Sequence, residues 1–199
     1  MPDDATPWLV VGLGNPGPGY AGNRHNVGQM AIAELAHRAS LSFKNHKAGA
    51  SVAEGRGGGT GPRLILASPH TFMNVSGGPV AGLLRFYKIE PSQLIVLHDE
   101  LDIPFDSIKL KRGGGHGGHN GVRDIIAATG TPDFLRVRIG IGRPPGHQPA
   151  ADFVLRDFAG DERAVLPNLL SDAADAVELI ASQGLTAAQL KVHTVAEKP

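Results

Sequence analysis

Two residues in this 199-residue chain, His25 and Asp99, are of the types that form a proton-transfer pair. A carboxylate on one imidazole nitrogen sets the tautomer and stabilises the imidazolium, so the other nitrogen can take a proton from water or a hydroxyl. Taken singly, each has a plainer reading: His25 as a loop histidine at a helix start, Asp99 as a turn former. Asp99, however, follows the apolar run Leu94 to Leu97, which puts it at the C-terminal end of a central strand, where α/β sheets gather ligands. Three asparagines, Asn15, Asn74 and Asn120, sit in Gly-containing loops after separate elements. Uncharged amides suit the orienting of an ester or amide carbonyl and the stabilisation of an oxyanion. The glycines from Gly113 to Gly121 would let backbone N–H groups approach an anion, with Lys109, Lys111 and Arg112 alongside.

Other chemistries fit less well. Gly12-Leu13-Gly14-Asn15-Pro16-Gly17 satisfies the dinucleotide-binding glycine pattern, yet Pro16, Pro18, Gly19 and Gly22 keep the chain irregular where a helix should open. The ribose-binding acid expected some twenty residues on is missing, since Glu34 falls within a helix. No Walker-type phosphate loop and no G-x-S-x-G elbow occurs. The HDELD run from His98 to Asp102 and the pair His116 and His119 could hold a metal, but H-x-x-H in a flexible Gly loop lacks the helical face that presents paired ligands, so no metal or other cofactor is expected. With no cysteine in the chain, disulfides, thiolate metal sites and thiol nucleophiles are excluded, in keeping with a reducing cytoplasm.

The elements that must position these residues alternate. Trp8 to Gly14 reads as a buried strand and Val27 to Ala39 as a helix capped by Asn26. Ala50 to Glu54 and Arg63 to Ser68 read as a strand pair joined by a mobile Gly-rich loop. Val80, Leu83, Leu84 and Tyr87 mark a helix, with Pro79 in its first turn and Pro91 beyond its end. Ile108 to Lys111 is a strand and Asn120 to Thr129 a helix, while Leu135 to Ile141 alternates as a half-exposed strand. A long C-terminal helix follows, bent or begun by Pro167, and Thr186 with Gln189 forms a capping box for a last one. The fold class is therefore α/β: one domain over 1–199, core about 8–193, with a twisted, mixed and largely parallel sheet flanked by helices.

Nineteen basic residues balance nineteen acidic ones, but unevenly. Between Phe105 and His147 stand Lys109, Lys111, Arg112, Arg123, Arg136, Arg138 and Arg143 against Asp106, Asp124 and Asp133. A basic face on a neutral chain is compatible with transient nucleic-acid binding, although on its own a solvated surface is the favoured reading. The start, MPDDATPW, has no basic leader region and no apolar run reaches membrane-spanning length, so a soluble cytoplasmic protein with no membrane partner is expected.

Read together, GLGNPGPGY, NRHNVG, TFMNVSG, LIVLHDELD and GGGHGGHNG resemble the bacterial peptidyl-tRNA hydrolases in order and spacing, over nearly the whole chain. The resemblance implies a monomer that hydrolyses the ester between a peptide and the 3′-terminal ribose of tRNA. It further implies His25 as general base, Asp99 as its partner, and Asn15 as the residue that tells blocked from free aminoacyl groups. By the same resemblance Tyr20, Phe72, Asn74 and Asn120 contact the tRNA end or the peptide, and Met73 and His119 line the same cleft. Lys111 and Arg138 fall on basic positions for tRNA phosphates. The partner is then peptidyl-tRNA, through its acceptor end and backbone, with a stalled large ribosomal subunit as a further one.

Overall fold

A computed structural model describes residues 6–195; the reading of residues 1–5 as lacking a leader lies outside them. Seven strands form one sheet in the order β2-β3-β4-β1-β5-β7-β6. They are β1 (Trp8–Gly12), β2 (Lys44–His46), β3 (Ala50–Arg56), β4 (Arg63–Pro69), β5 (Leu94–Glu100), β6 (Ile108–Arg112) and β7 (Leu135–Gly140). The central β4-β1-β5-β7 block is parallel, while β2, β3 and β6 run antiparallel to their neighbours. The six helices are α1 (Val27–Arg38), α2 (Gly77–Tyr87), α3 (Asn120–Thr129), α4 (Ala150–Val154), α5 (Gly160–Gln183) and α6 (Leu185–Val195).

β1 is buried at all five residues, as a strand covered on both faces must be. Its Val10, with Ile95, Leu97 and Val137, packs against Ile32 and Leu35 of α1 and Ala173, Val177 and Ile180 of α5. On the other face Leu9, Val11, Leu94 and Val96 meet Val80 and Leu83 of α2 and Val122 and Ile125 of α3. The architecture is thus a three-layer α/β/α sandwich.

Several expectations change. β7 is not half-exposed: Arg136 is only 2% accessible, because the Gly-rich segment after β6 folds over its face of the sheet. Pro167 lies inside α5 rather than starting it, on an exposed stretch before the buried run from Leu169. α6 begins at Leu185, and Gln189 Nε2 donates to Leu110 O at 3.0 Å instead of closing a capping box. With His193 Nε2 accepting from Leu110 N at 3.1 Å, α6 satisfies main-chain groups on the outer edge of β6. β2 and α4, three and five residues long, carry too little periodic pattern to be read in advance.

The feature that matters most for the site is the seating of α1 on the ends of β1 and β5. A Cβ on Gly28 would lie 2.2 Å from Leu97 O, and one on Gly12 would lie 2.3 Å from Gly28 O. Leu13 N donates to Leu97 O at 3.1 Å and Gln29 N to Leu13 O at 3.2 Å, closing a main-chain clasp. Gly28→Ala is expected to cost about 1–3 kcal/mol through overpacking against backbone that cannot yield. Urea unfolding checks this, and an unchanged midpoint would contradict it.

Candidate active site

The site lies beyond the C-terminal ends of β1, β4 and β5, where the chain from β1 feeds neighbours on both sides. A cleft of about 560 Å³ opens there, lined among others by Asn15, His25, Phe72, Met73, Asn74, Asp99, His119 and Asn120. Eight of the eleven residues expected at the site therefore converge. Tyr20 stands beside the lining, its ring edge-on to Phe72 at 6.1 Å. Lys111 and Arg138 lie outside the cleft on β6 and β7, sharing one face of the sheet with Lys109. Of the other basic residues in that cluster, Arg112 pairs with Asp133 at 2.8 Å and Arg143 with Asp102 at 2.7 Å.

His25 sits in a 3-10 turn, Arg24–Asn26, that leads directly into α1. Its Nδ1 is 2.8 Å from Asp99 Oδ2 and 3.0 Å from Oδ1. Because a carboxylate only accepts, Nδ1 carries the proton. Nε2 has no partner among the described residues, so its lone pair is available at the cleft. His119 Nε2 donates to Asp99 Oδ1 at 2.8 Å, while its Nδ1 accepts from Val122 N at 3.3 Å as the cap of α3. One buried carboxylate thus fixes the tautomer of two imidazoles.

The charges shift accordingly. Burial would lower the pKa of His25, but the charge of Asp99 and its hydrogen bond outweigh this and leave it raised above 6.5. Burial pushes Asp99 up, yet His119 and His25 together hold it well below the usual carboxylate range. The ring of His98 stands edge-on to that of His119 with centroids 4.8 Å apart, and its Nδ1 donates to Asp99 O at 2.8 Å. Burial, with His119 adding to it, lowers His98 to about 3, so it stays neutral and is not a rival base. Among the described residues, the donor atoms close enough to share a metal ion belong to His25, Asp99 and His119. The two histidines weighed from the sequence are engaged separately: His116 Nδ1 accepts from Gly118 N at 3.0 Å, while His119 Nε2 is turned to Asp99.

Asn15 is held from two sides. Asn26 occupies the cap position of α1 but makes no capping bond there; its side chain bonds the Asn15 main chain reciprocally, each contact 2.9 Å. Met73 N donates to Asn15 Oδ1 at 2.7 Å. That bond commits the amide oxygen and leaves the NH₂ as a donor facing the cleft, without a partner among the described residues. Asn26 and the Met73 backbone were missed in the sequence, since neither carries a chemical signal of its own.

The cleft at the strand ends of this α/β fold thus holds an imidazole with a free Nε2, a carboxylate behind it and an amide donor. Known proteins of similar sequence and structure give the class. The profile of the family described as peptidyl-tRNA hydrolase matches residues 9–199. The peptidyl-tRNA hydrolase of Leifsonia xyli subsp. xyli is 67% identical over 189 residues, covering 95% of this chain and 98% of that one. That of Arthrobacter sp. (strain FB24) is 60% identical over 190 residues, covering 96% and 98%. The crystal structure of the Acinetobacter baumannii peptidyl-tRNA hydrolase superposes with a TM-score of 0.86 at 37% identity, covering 93% of each chain. The chain belongs to the peptidyl-tRNA hydrolase family.

The site makes a spectroscopic prediction. Imidazole ¹⁵N NMR should find neutral His25 protonated at Nδ1 and titrating above 6.5. In Asp99→Asn the raising charge is gone and burial remains, so the midpoint should fall below the wild-type value. An unchanged midpoint would contradict the role given to Asp99.

Proposed function

We propose that this chain hydrolyses the ester between a peptide and the 3′-terminal ribose of tRNA, with His25 as the base. The observation that carries this reading is the His25 Nδ1–Asp99 contact of 2.8 Å with Nε2 left free at the cleft. Water attacks the ester carbonyl carbon as Nε2 takes its proton, and the negative charge on the carbonyl oxygen is stabilised by side-chain amides. The carbon–oxygen bond to ribose then breaks, and the imidazolium returns its proton to the departing ribose oxygen. An aminoacyl ester is activated enough for a positioned base and amide donors to suffice.

The fixed orientation of Asn15 gives a basis for selectivity. Its NH₂ can donate to a carbonyl of an N-blocked residue. A free α-ammonium has only donors and a positive charge, so it would face a donor while losing water. Asn74, Asn120, Phe72 and Tyr20 surround the same opening and suit the terminal nucleotide and first peptide residues. Lys111 and Arg138, outside the cleft, suit tRNA phosphates, a contact that needs no base reading. In the same reading the chain acts as a cytoplasmic monomer, with a stalled large ribosomal subunit as a further partner. No helix among the described residues is long and apolar enough to cross a membrane.

The test is release of label from N-acetyl-aminoacyl-tRNA and from its unblocked counterpart, with EDTA present. We expect fast release from the first, slow release from the second, and a loss of about 10²–10⁴-fold in His25→Ala. Asn15→Ala should narrow the difference between the two substrates. Binding of tRNA without release would overturn the hydrolase reading, and full activity in His25→Ala would overturn the assignment of the base.

A further inference from the structure

The turn that carries His25 is gripped by contacts other than that to Asp99. Arg24 is only 7% accessible. Its Nη2 meets Glu162 Oε1 at 2.7 Å and its Nη1 donates to Phe153 O at 3.2 Å. The guanidinium lies 4.0 Å over the Phe153 ring, and Arg24 N donates to Arg156 O at 3.0 Å. Glu162 Oε1 also accepts from Ala159 N at 2.9 Å, and Asn23 Nδ2 donates to Asp157 Oδ1 at 2.8 Å. All of these partners lie between Phe153 and Glu162, the stretch that joins α4 to α5. This stretch and the start of α4 before it form cleft wall: Ala150, Ala151, Val154 and Leu155 line the cleft together with His25.

A largely buried ion pair is weak evidence for stability, because desolvation offsets most of its attraction and apolar residues of similar volume can do as well. What a planar guanidinium adds is fixed direction: it satisfies Glu162 and the Phe153 carbonyl with separate nitrogens while stacking on a ring. The contacts span 138 residues of sequence and tie the base to the wall that a substrate must touch.

We propose that Arg24 is a positioning residue that fixes the His25 turn and the α4 wall as one unit, so that an ester seated against α4 is held at reacting distance from His25 Nε2. The proposal rests on His25 being the base. It predicts an effect on turnover out of proportion to any effect on binding, since a base displaced by about 1 Å can cost about 10²-fold.

The experiment compares wild type, His25→Ala, Arg24→Lys, Glu162→Gln and the double variant Arg24→Met/Glu162→Gln, which leaves no charge buried alone. Each is first shown to be folded by its thermal melt. The readouts are kcat and KM on N-acetyl-aminoacyl-tRNA and the downfield Nδ1 proton resonance of His25 hydrogen-bonded to Asp99. We expect the double variant to lose about 10²-fold in kcat with KM little changed, and its Nδ1 resonance to broaden or move. Arg24→Lys should recover only part, because a lysine cannot serve both oxygens in one plane. Should the double variant not fold, Glu162→Gln, which keeps an acceptor oxygen, carries the test with a smaller loss of kcat. Wild-type kcat and an unmoved resonance in a folded variant would overturn the proposal. If instead the wild type releases nothing, or His25→Ala is fully active, it is the assignment of the base that fails.

Discussion

Everything in the site depends on how closely the start of α1 approaches the ends of β1 and β5. Gly12 and Gly28 leave no side chain between helix and sheet, so main-chain bonds run between Leu13, Gln29 and Leu97. This clasp sets the distance between a histidine that precedes α1 and an aspartate that ends β5, residues 74 positions apart in sequence. The glycines are needed here for close approach rather than for flexibility. The proposed base, whose contact with its carboxylate is 2.8 Å, is well served by a backbone joint, which has no rotamers to sample.

Around that joint the polar groups constrain one another. Asp99 is buried, and it stays ionised because two imidazoles point N–H groups at it. His98 donates to the carbonyl of the same residue while itself staying neutral. Asn15 is fixed by the same reasoning, since an incoming N–H from Met73 leaves its amide only one orientation. His25 is thus left with an acceptor Nε2, and Asn15 with its donor NH₂, toward the cleft. Such an arrangement costs no reorganisation at the moment of reaction.

Much of this was legible in the sequence, for physical reasons. The parallel strands are short apolar runs, and the position of Asp99 after one of them marks the ligand end of an α/β sheet. The asparagines stood out because amides in Gly-rich loops have few structural uses in common. What stayed hidden depends on packing. The alternation Leu-Arg-Val-Arg-Ile reads as a half-exposed strand, yet a loop from elsewhere covers Arg136 and takes its two hydrogen bonds through Gly114 and Gly115. Asn26 looks like a helix cap and instead bonds the backbone of Asn15. Arg24, adjacent to His25, has partners more than 125 residues away that no local pattern announces. The GRGGGTGP loop shortens to a turn between β3 and β4, and nothing in the structure gives it a role at the site.

In the proposed mechanism neutral His25, raised in pKa by Asp99, takes a proton from water in the rate-determining step. The pH dependence of single-turnover hydrolysis of N-acetyl-aminoacyl-tRNA tests this step. The rate should fall with unit slope as pH drops through a midpoint above 6.5, set by protonation of His25. In Asp99→Asn the plateau should be lower and the midpoint should move down. A rate independent of pH through this range, or one whose midpoint ignores the loss of Asp99, would contradict it.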